Sequence, residues 1–224
     1  MKPAAAPYRG RRRKIGLLGG SFNPAHEGHR HISLLALKAL GLDELWWLVS
    51  PQNPLKPVAG MAPLDERIAR AQRVARHRLI KVTGIEAALG TRYTADTLRA
   101  LRRRFPRHRF VWIMGADNLR QISRWRDWTR IFATVPVAVF DRPTYSYGAL
   151  ASKAAHRYAR NRIALRLARR LADQALPAWV FVQTARHPAS ATELRAKLAK
   201  MVRKPSALHR SFTPSLASPA DQPQ

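Results

Sequence analysis

Residues 14–29, which read KIGLLGGSFNPAHEGH, decide the fold class of this 224-residue chain. The stretch begins with an apolar run that ends in paired glycines, a pattern that predicts a buried strand followed by a tight turn. An asparagine, a proline and two histidines follow, and the apolar positions of residues 26–40 then recur at helical spacing. A strand, a glycine turn and a helix in this order make the first unit of an α/β sheet.

The same alternation of strand-like and helix-like segments continues along the chain. Strands are predicted at residues 14–19, 44–49, 79–83, 109–114, 135–140 and 178–182. Helices are predicted at residues 26–40, 63–76, 94–104, 147–172 and 192–202. The order predicts an α/β fold, a Rossmann-like doubly wound parallel sheet, in which ligands bind beyond the carboxyl ends of the strands.

Two terminal segments differ in composition from this domain. Residues 1–13 are basic and rich in proline and alanine, and residues 205–224 are rich in proline, serine and alanine. Both are predicted to be disordered tails on a single domain over residues 14–204. No apolar run approaches the about 20 residues of a membrane span. The absence of cysteine fits a reducing cytoplasm, which is the expected location.

The charge of the chain is unusual, because 41 Lys and Arg residues stand against 13 Asp and Glu residues, a net charge of +28. A generally basic surface explains this, and so does a polyanionic partner. Seven cations without an acid lie in one stretch: Lys153, Arg157, Arg160, Arg162, Arg166, Arg169 and Arg170. A nucleic-acid-binding protein with a degenerate nucleotide fold is therefore an alternative, with salt-sensitive, non-specific binding expected.

The segment after the first strand has the chemistry of a phosphate site. Asn23 can cap a helix, and Pro24 suits a first helical turn. A helix N-terminus offers N–H groups and a positive dipole to phosphate. His26 and His29 are three residues apart, so both lie on one face at that end of the helix. Two imidazoles in this position suit phosphate oxygens better than a hydrophobic core.

Other interpretations of this segment remain open. It is neither a Rossmann G-x-G-x-x-G motif nor a Walker A loop, because no Gly-Lys-Ser/Thr follows. The histidines are one residue too close for the H-E-x-x-H zinc pattern. With His31 nearby, a metal site is an alternative, as are plain surface histidines.

Residues 19–29 resemble the G-G-S/T-F-D/N-P-x-H-x-G-H signature of the nucleotidyltransferase superfamily. In that family both histidines contact ATP phosphates, and the second stabilises the charge that develops on the α-phosphate. The resemblance implies these catalytic roles for His26 and His29, and it implies the nucleotidyltransferase fold. The acceptor's own phosphate then attacks and pyrophosphate leaves, so that catalysis is positioning plus charge stabilisation. The residues implied to bind ATP here are Gly19, Gly20, Ser21, Phe22, His26 and His29.

A second candidate phosphate motif is HPASATELR, at residues 187–195. Ser190 with Glu193 three residues later also reads as an ordinary helix capping box. The segment resembles the family's I-S-S-T-x-I/L-R motif, which holds ATP phosphates, but Ala191 replaces the second serine. The resemblance implies three further ATP-binding side chains, those of Ser190, Thr192 and Arg195.

The middle of the chain bears on the acceptor. Residues 92–98, RYTADTL, resemble the S/R-Y-T-x-x-T-L segment of bacterial nicotinate-nucleotide adenylyltransferases. Residues 115–125 resemble that family's G-x-D-x-L…W segment. In the family the tryptophan stacks on the pyridine ring and the Y-T loop helps to hold the nicotinate carboxylate, which implies these roles for Trp125 and Thr94. An aromatic face suits a flat ring, and N–H and O–H donors suit a carboxylate.

Several other side chains have looser assignments. Residues 51–56 match the family's P-N-x-x-P-x-K/R loop only in part, with Lys56 able to reach a phosphate. Asp117 is implied to bind a ribose hydroxyl or to order the site. Core positions are the alternative for Trp125 and Trp128, and Trp46, Trp47 and Trp179 are predicted to be core. The predicted acceptor-binding set is Lys56, Tyr93, Thr94, Asp117 and Trp125.

The resemblance spans residues 14–200 and implies an enzyme of NAD biosynthesis. It would join AMP from ATP to nicotinate mononucleotide, giving nicotinate adenine dinucleotide and pyrophosphate. Mg²⁺ is expected to arrive with ATP, because the sequence shows no dedicated carboxylate cage. Nicotinamide mononucleotide and phosphopantetheine are alternative acceptors, and a homo-oligomer is left open.

Overall fold

The computed structural model describes residues 12–51, 60–141 and 146–183. Its strands are β1 (Lys14–Gly20), β2 (Glu44–Val49), β3 (Ile80–Thr83), β4 (Arg109–Gly115), β5 (Val137–Phe140) and β6 (Trp179–Val182). They form a parallel sheet in the order β3-β2-β1-β4-β5-β6. The six predicted strands and the doubly wound α/β fold are therefore confirmed, since runs that are apolar on both faces are typical of covered parallel strands.

The helices are α1 (Glu27–Leu40), α2 (Leu64–Ala75), α3 (Ile85–Ala88), α4 (Thr94–Arg104), α5 (Ala116–Gln121), α6 (Trp128–Thr134), α7 (Ser146–Leu150) and α8 (Lys153–Arg157). Short 3-10 segments occupy Ile122–Arg124, Ala159–Asn161 and Leu165–Asp173. The predictions that correspond to α1, α2 and α4 are confirmed. The predicted helix at residues 192–202 lies outside the described residues, as do residues 1–11 and 205–224, so the predicted tails stay a prediction.

The predicted helix at residues 147–172 is wrong as a continuous element. Ser152 caps a new helix, because its side chain accepts a hydrogen bond from the N–H of Ala155. Further on, the N–H of Ile163 donates to the carbonyl of Trp179 at 2.8 Å, and Arg162 forms an isolated parallel bridge with Trp179. Pairing with β6 therefore interrupts a segment whose own residues favour helix.

Hydrophobic cores cover both faces of the sheet. On β4, Phe110, Trp112 and Met114 face one core, whereas Val111 and Ile113 face the other. The first core packs under α4 to α8, and the second packs under α1, α2 and the segment Leu165–Asp173. Among the described residues, no helix has both the length and the apolarity that a membrane crossing requires.

The predicted core tryptophans behave differently from one another. Trp47 and Trp179 are buried, which confirms their assignment. Trp46 is only half-buried, and its ring packs against the core through edge contacts with Phe105 and Phe110.

The order in which strands are added to the sheet reverses beside β1. The chain runs outward from β1 to β3 and then returns to β4 on the other side of β1. The connections after β1 and β4 therefore lead to opposite faces of the sheet, which leaves a crevice at their carboxyl ends. Gly20 ends one strand and Gly115 the other, so the candidate motifs begin at this crevice.

Gly19 allows β1 and β4 to approach each other closely under the crevice. A Cβ atom on Gly19 would overlap Cη2 of the Trp112 indole. We expect Gly19→Ala to lower the free energy of unfolding by about 1–3 kcal/mol, because the indole must move within a packed core.

Urea-induced unfolding measures this effect, with Gly148→Ala as the control. A Cβ on Gly148 meets only Cδ of Arg120 at 3.7 Å, an ordinary contact, and alanine favours the helix there. Equal unfolding free energies for the wild type and Gly19→Ala would contradict the expectation.

Candidate active site

A cavity of about 500 Å³ lies at the carboxyl ends of the strands, at the crevice between β1 and β4. The loops and helix starts that follow β1, β2, β3 and β4 all contribute to its lining. These four connections thus converge on the edge of the sheet where a doubly wound fold is expected to bind ligands. The connection after β6 lies largely outside the described residues.

A second cavity, of about 640 Å³, lies at the opposite end of the sheet near the start of β4. Arg102, Arg107 and Arg109 line it, together with Asp173, which forms an ion pair with Arg109. Among the described residues, those predicted for the site line the smaller cavity instead. The predicted site residues, and not the cavity volume, therefore make the smaller cavity the candidate site.

His26 and His29 meet at the N-terminus of α1. His26 is the N-cap, and its Nδ1 atom accepts the N–H of Gly28 at 3.1 Å. Nδ1 of His29 accepts the N–H of His26 at 3.2 Å, and the ring centroids are 3.8 Å apart. Because both Nδ1 atoms are acceptors, each neutral ring carries its hydrogen on Nε2, which is the donor atom that can meet a phosphate oxygen.

The sequence-based role of Asn23 as the helix cap is wrong. Its side-chain nitrogen donates to the carbonyl of Gly60 at 3.0 Å, and its oxygen accepts the N–H of Ala62 at 3.4 Å. Pro24 likewise precedes the helix instead of occupying its first turn. The imidazole of His26 caps the helix instead, because its Nδ1 accepts the N–H of Gly28 in the first turn. Asn23 instead ties the motif to the segment before α2.

A buried aromatic wall supports His29. The ring centroids of Phe22 and His29 lie 4.8 Å apart. The Phe22 ring also stacks on that of Trp47, with the two centroids 5.0 Å apart. The indole N–H of Trp47 donates to Oγ of Ser33 at 2.8 Å, and the Ser33 hydroxyl donates to the carbonyl of His29 at 2.7 Å. The histidine is thus fixed both through its ring and through its backbone. The predicted ATP-binding residues that line the cavity with it are Gly19, Gly20, Ser21, Phe22 and His26.

The residues predicted for the acceptor line the other part of the same cavity. Tyr93, Thr94, Asp117 and Trp125 all contribute to its surface. Trp125 is half-buried and also packs against the core. Its indole N–H is buried and has no hydrogen-bond partner among the described residues. Trp128, in contrast, packs edge-on against Phe132 and Tyr158 in the core, as the alternative interpretation expected.

Three arginines lie near Tyr93 and Trp125. Arg92 belongs to the segment that resembles the family's Y-T motif, whereas Arg124 and Arg126 gave no distinct signal in a sequence that is rich in arginine. Arg92, Arg124 and Arg126 line the cavity, and the Arg126 guanidinium lies 4.7 Å from the centroid of the Tyr93 ring. They give this part of the cavity a positive field, which suits an anionic ligand.

Glu86 is a buried carboxyl group in the cavity wall that also gave no sequence signal. It is 7% exposed, and Oγ1 of Thr97 donates to its Oε1 at 3.1 Å. Oγ1 of Thr97 also lies 3.2 Å from the carbonyl of Tyr93, which connects Glu86 to the start of α4. Burial raises the pKa of Glu86 above its ordinary value of 4.5, and hydrogen bonds from Thr97 and Ser50 partly offset that shift.

Four of the predicted site residues cannot be placed. Lys56, Ser190, Thr192 and Arg195 lie outside the described residues. Their roles stay predictions. As for the metal alternative, the described ranges contain no group of three or more His, Asp or Glu side chains that could hold a metal ion, with or without His31.

Comparison with known proteins bears on the fold and the family of the chain. Residues 17–197 match the family model described as cytidylyltransferase-like. In solved structures, the chain resembles the Plasmodium falciparum nicotinic acid mononucleotide adenylyltransferase complexed with APC, with a TM-score of 0.60. The two share 14% identity over 82% of this chain and 83% of that one, which supports the nucleotidyltransferase fold.

Curated bacterial relatives are much closer in sequence. A Bradyrhizobium protein named "Probable nicotinate-nucleotide adenylyltransferase" is 56% identical over 81% of this chain and 95% of its own length. A Gluconacetobacter diazotrophicus protein of the same name is 53% identical over 88% of this chain and 91% of its own length. At this identity and coverage, the chain belongs to the nicotinate-nucleotide adenylyltransferase family.

Proposed function

We propose that this protein transfers the AMP part of ATP to nicotinate mononucleotide, giving nicotinate adenine dinucleotide and pyrophosphate. The observation that carries the proposal is the content of one cavity. His26, His29 and the glycine turn line one part of it, and Tyr93, Thr94 and Trp125 line another. A donor site for phosphates and an aromatic, cationic site for an acceptor are thus contiguous. The names of the bacterial relatives support the same reaction.

The reaction needs no nucleophile from the protein. An oxygen of the acceptor phosphate forms a bond to the α-phosphorus of ATP, while the bond from that phosphorus to the bridging oxygen of the β-phosphate breaks. Negative charge grows on the α-phosphate oxygens and on the leaving pyrophosphate. Nε2–H groups of His26 and His29, fixed beforehand by their Nδ1 contacts, donate to that charge. The protein supplies positioning and electrostatic stabilisation.

Backbone groups, further side chains and a metal ion complete the ATP site in this proposal. Backbone N–H groups of the turn at residues 19–22 bind ATP phosphates. The second motif would add three donors that lie outside the described residues: Ser190, Thr192 and Arg195. Mg²⁺ bound with ATP would neutralise part of the phosphate charge. The acidic side chains among the described cavity residues are Glu86 and Asp117, and Glu86 is engaged by Thr97, so ATP and water supply most metal ligands.

Recognition of the acceptor follows from the chemistry of nicotinate. The Trp125 face stacks on the pyridine ring, and Thr94 donates to the carboxylate. Nearby Arg92 and Arg126 favour an anion over the neutral amide of nicotinamide. Asp117 binds a ribose hydroxyl, and Lys56 meets a phosphate from its loop outside the described residues.

Wider properties of the chain remain expectations. The +28 charge is expected to attract nucleic acid without specificity, and that attraction should fall steeply with salt. The cytoplasm remains the expected location. Gel filtration coupled to light scattering would determine whether the protein is a homo-oligomer.

His29 gives the first test of the mechanism. We expect His29→Ala to lower kcat by about 100- to 1,000-fold, the usual loss for one charge-stabilising donor. Pyrophosphate release with ATP and Mg²⁺ is measured, with nicotinate and nicotinamide mononucleotides offered separately. His156→Ala, an exposed histidine on α8, is the control and should retain full activity.

The two acceptors separate the parts of the proposal. Turnover with the acid form that is lost in His29→Ala supports both mechanism and acceptor. Preference for the amide would keep the chemistry but contradict the roles of Trp125 and Thr94. No turnover of the wild type with either acceptor would contradict the proposed function.

Trp125 tests the acceptor site alone. We expect Trp125→Ala to raise KM for nicotinate mononucleotide by about 5- to 150-fold, because stacking on an aromatic side chain contributes about 1–3 kcal/mol per base. Trp125→Phe keeps an aromatic face and should change KM much less. Steady-state kinetics with each substrate varied in turn measures both variants. An equal rise in KM for ATP would contradict a role confined to the acceptor.

Glu86 predicts a pH dependence of stability. Its pKa is raised in the folded protein, which means that folding favours the protonated, neutral carboxyl group. The free energy of unfolding that this preference contributes is fully present below pH 4.5 and is lost as the pH rises through the folded pKa. Glu86→Gln stays neutral and keeps an oxygen that can accept from Thr97. We therefore expect its Tm, relative to wild type, to rise as the pH increases above 4.5 through the raised pKa of Glu86.

Scanning calorimetry across this pH range makes the comparison. Glu66→Gln is the control, because Glu66 is an exposed carboxylate paired with Arg70. A difference between Glu86→Gln and wild type that does not change with pH would contradict the raised pKa.

A further inference from the structure

Arg67 is a buried cation whose partners are backbone carbonyls. It lies in the first turn of α2 and is 2% exposed. Its Nη1 atom donates to the carbonyls of Ser21 and Ser50, both at 2.7 Å. Its Nη2 atom donates to the carbonyl of Pro51 at 3.0 Å, and Nε donates to that of Ala62 at 2.8 Å. One side chain thus joins the turn after β1 to the segments that follow β2 and precede α2.

Retention of a charge at this position calls for an explanation. A buried ionised side chain is costly, and a well-packed apolar residue of similar size is often at least as stable. Burial lowers the pKa of Arg67, but an arginine side chain stays protonated at physiological pH. The planar fork of N–H groups is what an apolar residue or a lysine cannot reproduce.

The contact with Ser21 fixes the direction of the next peptide N–H. In a trans peptide the C=O and the following N–H point in opposite directions. Since the Ser21 carbonyl points at Arg67, the N–H of Phe22 points away from it. The Gly20 carbonyl accepts the N–H of Ser50 at 2.9 Å, so the N–H of Ser21 points away from β2 in the same manner.

These N–H groups belong to residues of the cavity wall. Ser21 and Phe22 both line the cavity at the glycine turn. Phe22 has a φ of +46°, a left-handed conformation that a bulky L-residue rarely adopts and that the surrounding structure must hold. The hydrogen bond from Arg67 to the preceding carbonyl is one of the contacts that hold it.

The buried charge also acts through the peptide that it contacts. A cation at the carbonyl end of a peptide dipole polarises the group, which makes its N–H a stronger donor. The dipole of the Ser21–Phe22 peptide would therefore lie between two charges. The guanidinium is at its carbonyl end, and a phosphate in the cavity would be at its N–H end. This gives the turn a positive field that does not require a cation inside the cavity.

We propose that Arg67 is a positioning residue for ATP, which orients and polarises the peptide N–H groups of the turn that receives the ATP phosphates. The proposal rests on the adenylyl transfer proposed above. Its premise is the contact with Ser21, which lies on the ATP side of the cavity. Effects should therefore appear in the kinetics of ATP and pyrophosphate and spare the binding of nicotinate mononucleotide.

Paired substitutions in full-length protein test the assignment. We expect Arg67→Met to lower kcat/KM for ATP by about 100-fold, as a misplaced donor set does, with KM for nicotinate mononucleotide almost unchanged. Arg67→Lys keeps the charge without the fork and should fall between Arg67→Met and wild type. Arg70→Met and Arg70→Lys are the controls, because Arg70 lies on the same helix, is exposed and pairs with Glu66.

The outcomes distinguish a local role from general loosening. Circular dichroism first establishes that each variant is folded. A folded Arg67→Met with wild-type kinetics for ATP would overturn the proposal, and so would an equal rise in KM for both substrates. Absence of turnover in the wild type and in the Arg70 variants would instead count against the proposed function.

A binding measurement on the wild-type protein does not depend on the variants folding. MgATP alone, without an acceptor, is added to ¹⁵N-labelled protein. We expect the amide signals of Ser21 and Phe22 and the Nε signal of Arg67 to shift together as the site fills. Binding of MgATP that leaves the Arg67 signal unchanged would overturn the proposal even if every Arg67 variant fails to fold.

Discussion

The pairing of β1 with both β2 and β4 is the constraint on which the rest of the molecule depends. β1 is central, and the order in which strands are added reverses beside it. The connections after β1 and β4 therefore diverge at the carboxyl ends of these strands. The crevice collects residues that are far apart in sequence, from Gly20 through Glu86 to Trp125. Gly19 permits the close contact with Trp112 beneath it. One site can therefore be assembled from separate loops of a single sheet.

The parts of the fold that sequence reasoning predicted have strong local patterns. The strands are covered on both faces and read as continuous apolar runs, and α1, α2 and α4 are long enough to show a helical period. Helices α3, α5 and α6 span only four to seven residues, so they show little periodicity. The prediction of one continuous helix in the long basic segment was wrong for another reason. Hydrogen bonds to β6 override the helical preference of that segment.

Sequence reasoning likewise predicted some residues of the candidate site and missed others. His26 and His29 were predicted from their residue type and spacing, and Trp125 from the resemblance of its segment to that of the family. Arg67 and Glu86 were missed, since a single charged residue within a helix normally faces solvent. Contacts with other segments bury these two, the turn at Ser21 for Arg67 and helix α4 at Thr97 for Glu86. Asn23 was found but misassigned, because the bond that it forms reaches the distant segment at Gly60. Local sequence identifies functional chemistry, whereas its supporting contacts depend on the tertiary fold.

The central position of β1 also affects how the chain folds during synthesis. β1 emerges first and can pair with β2, but its other edge stays open until Arg109–Gly115 has been made. Parallel pairings of such high sequence separation form slowly, and an unpaired apolar strand edge favours aggregation. The glycine turn and its histidines therefore exist on the nascent chain well before the cavity does. Nucleotide binding can help to complete the fold only after β4 has joined the sheet.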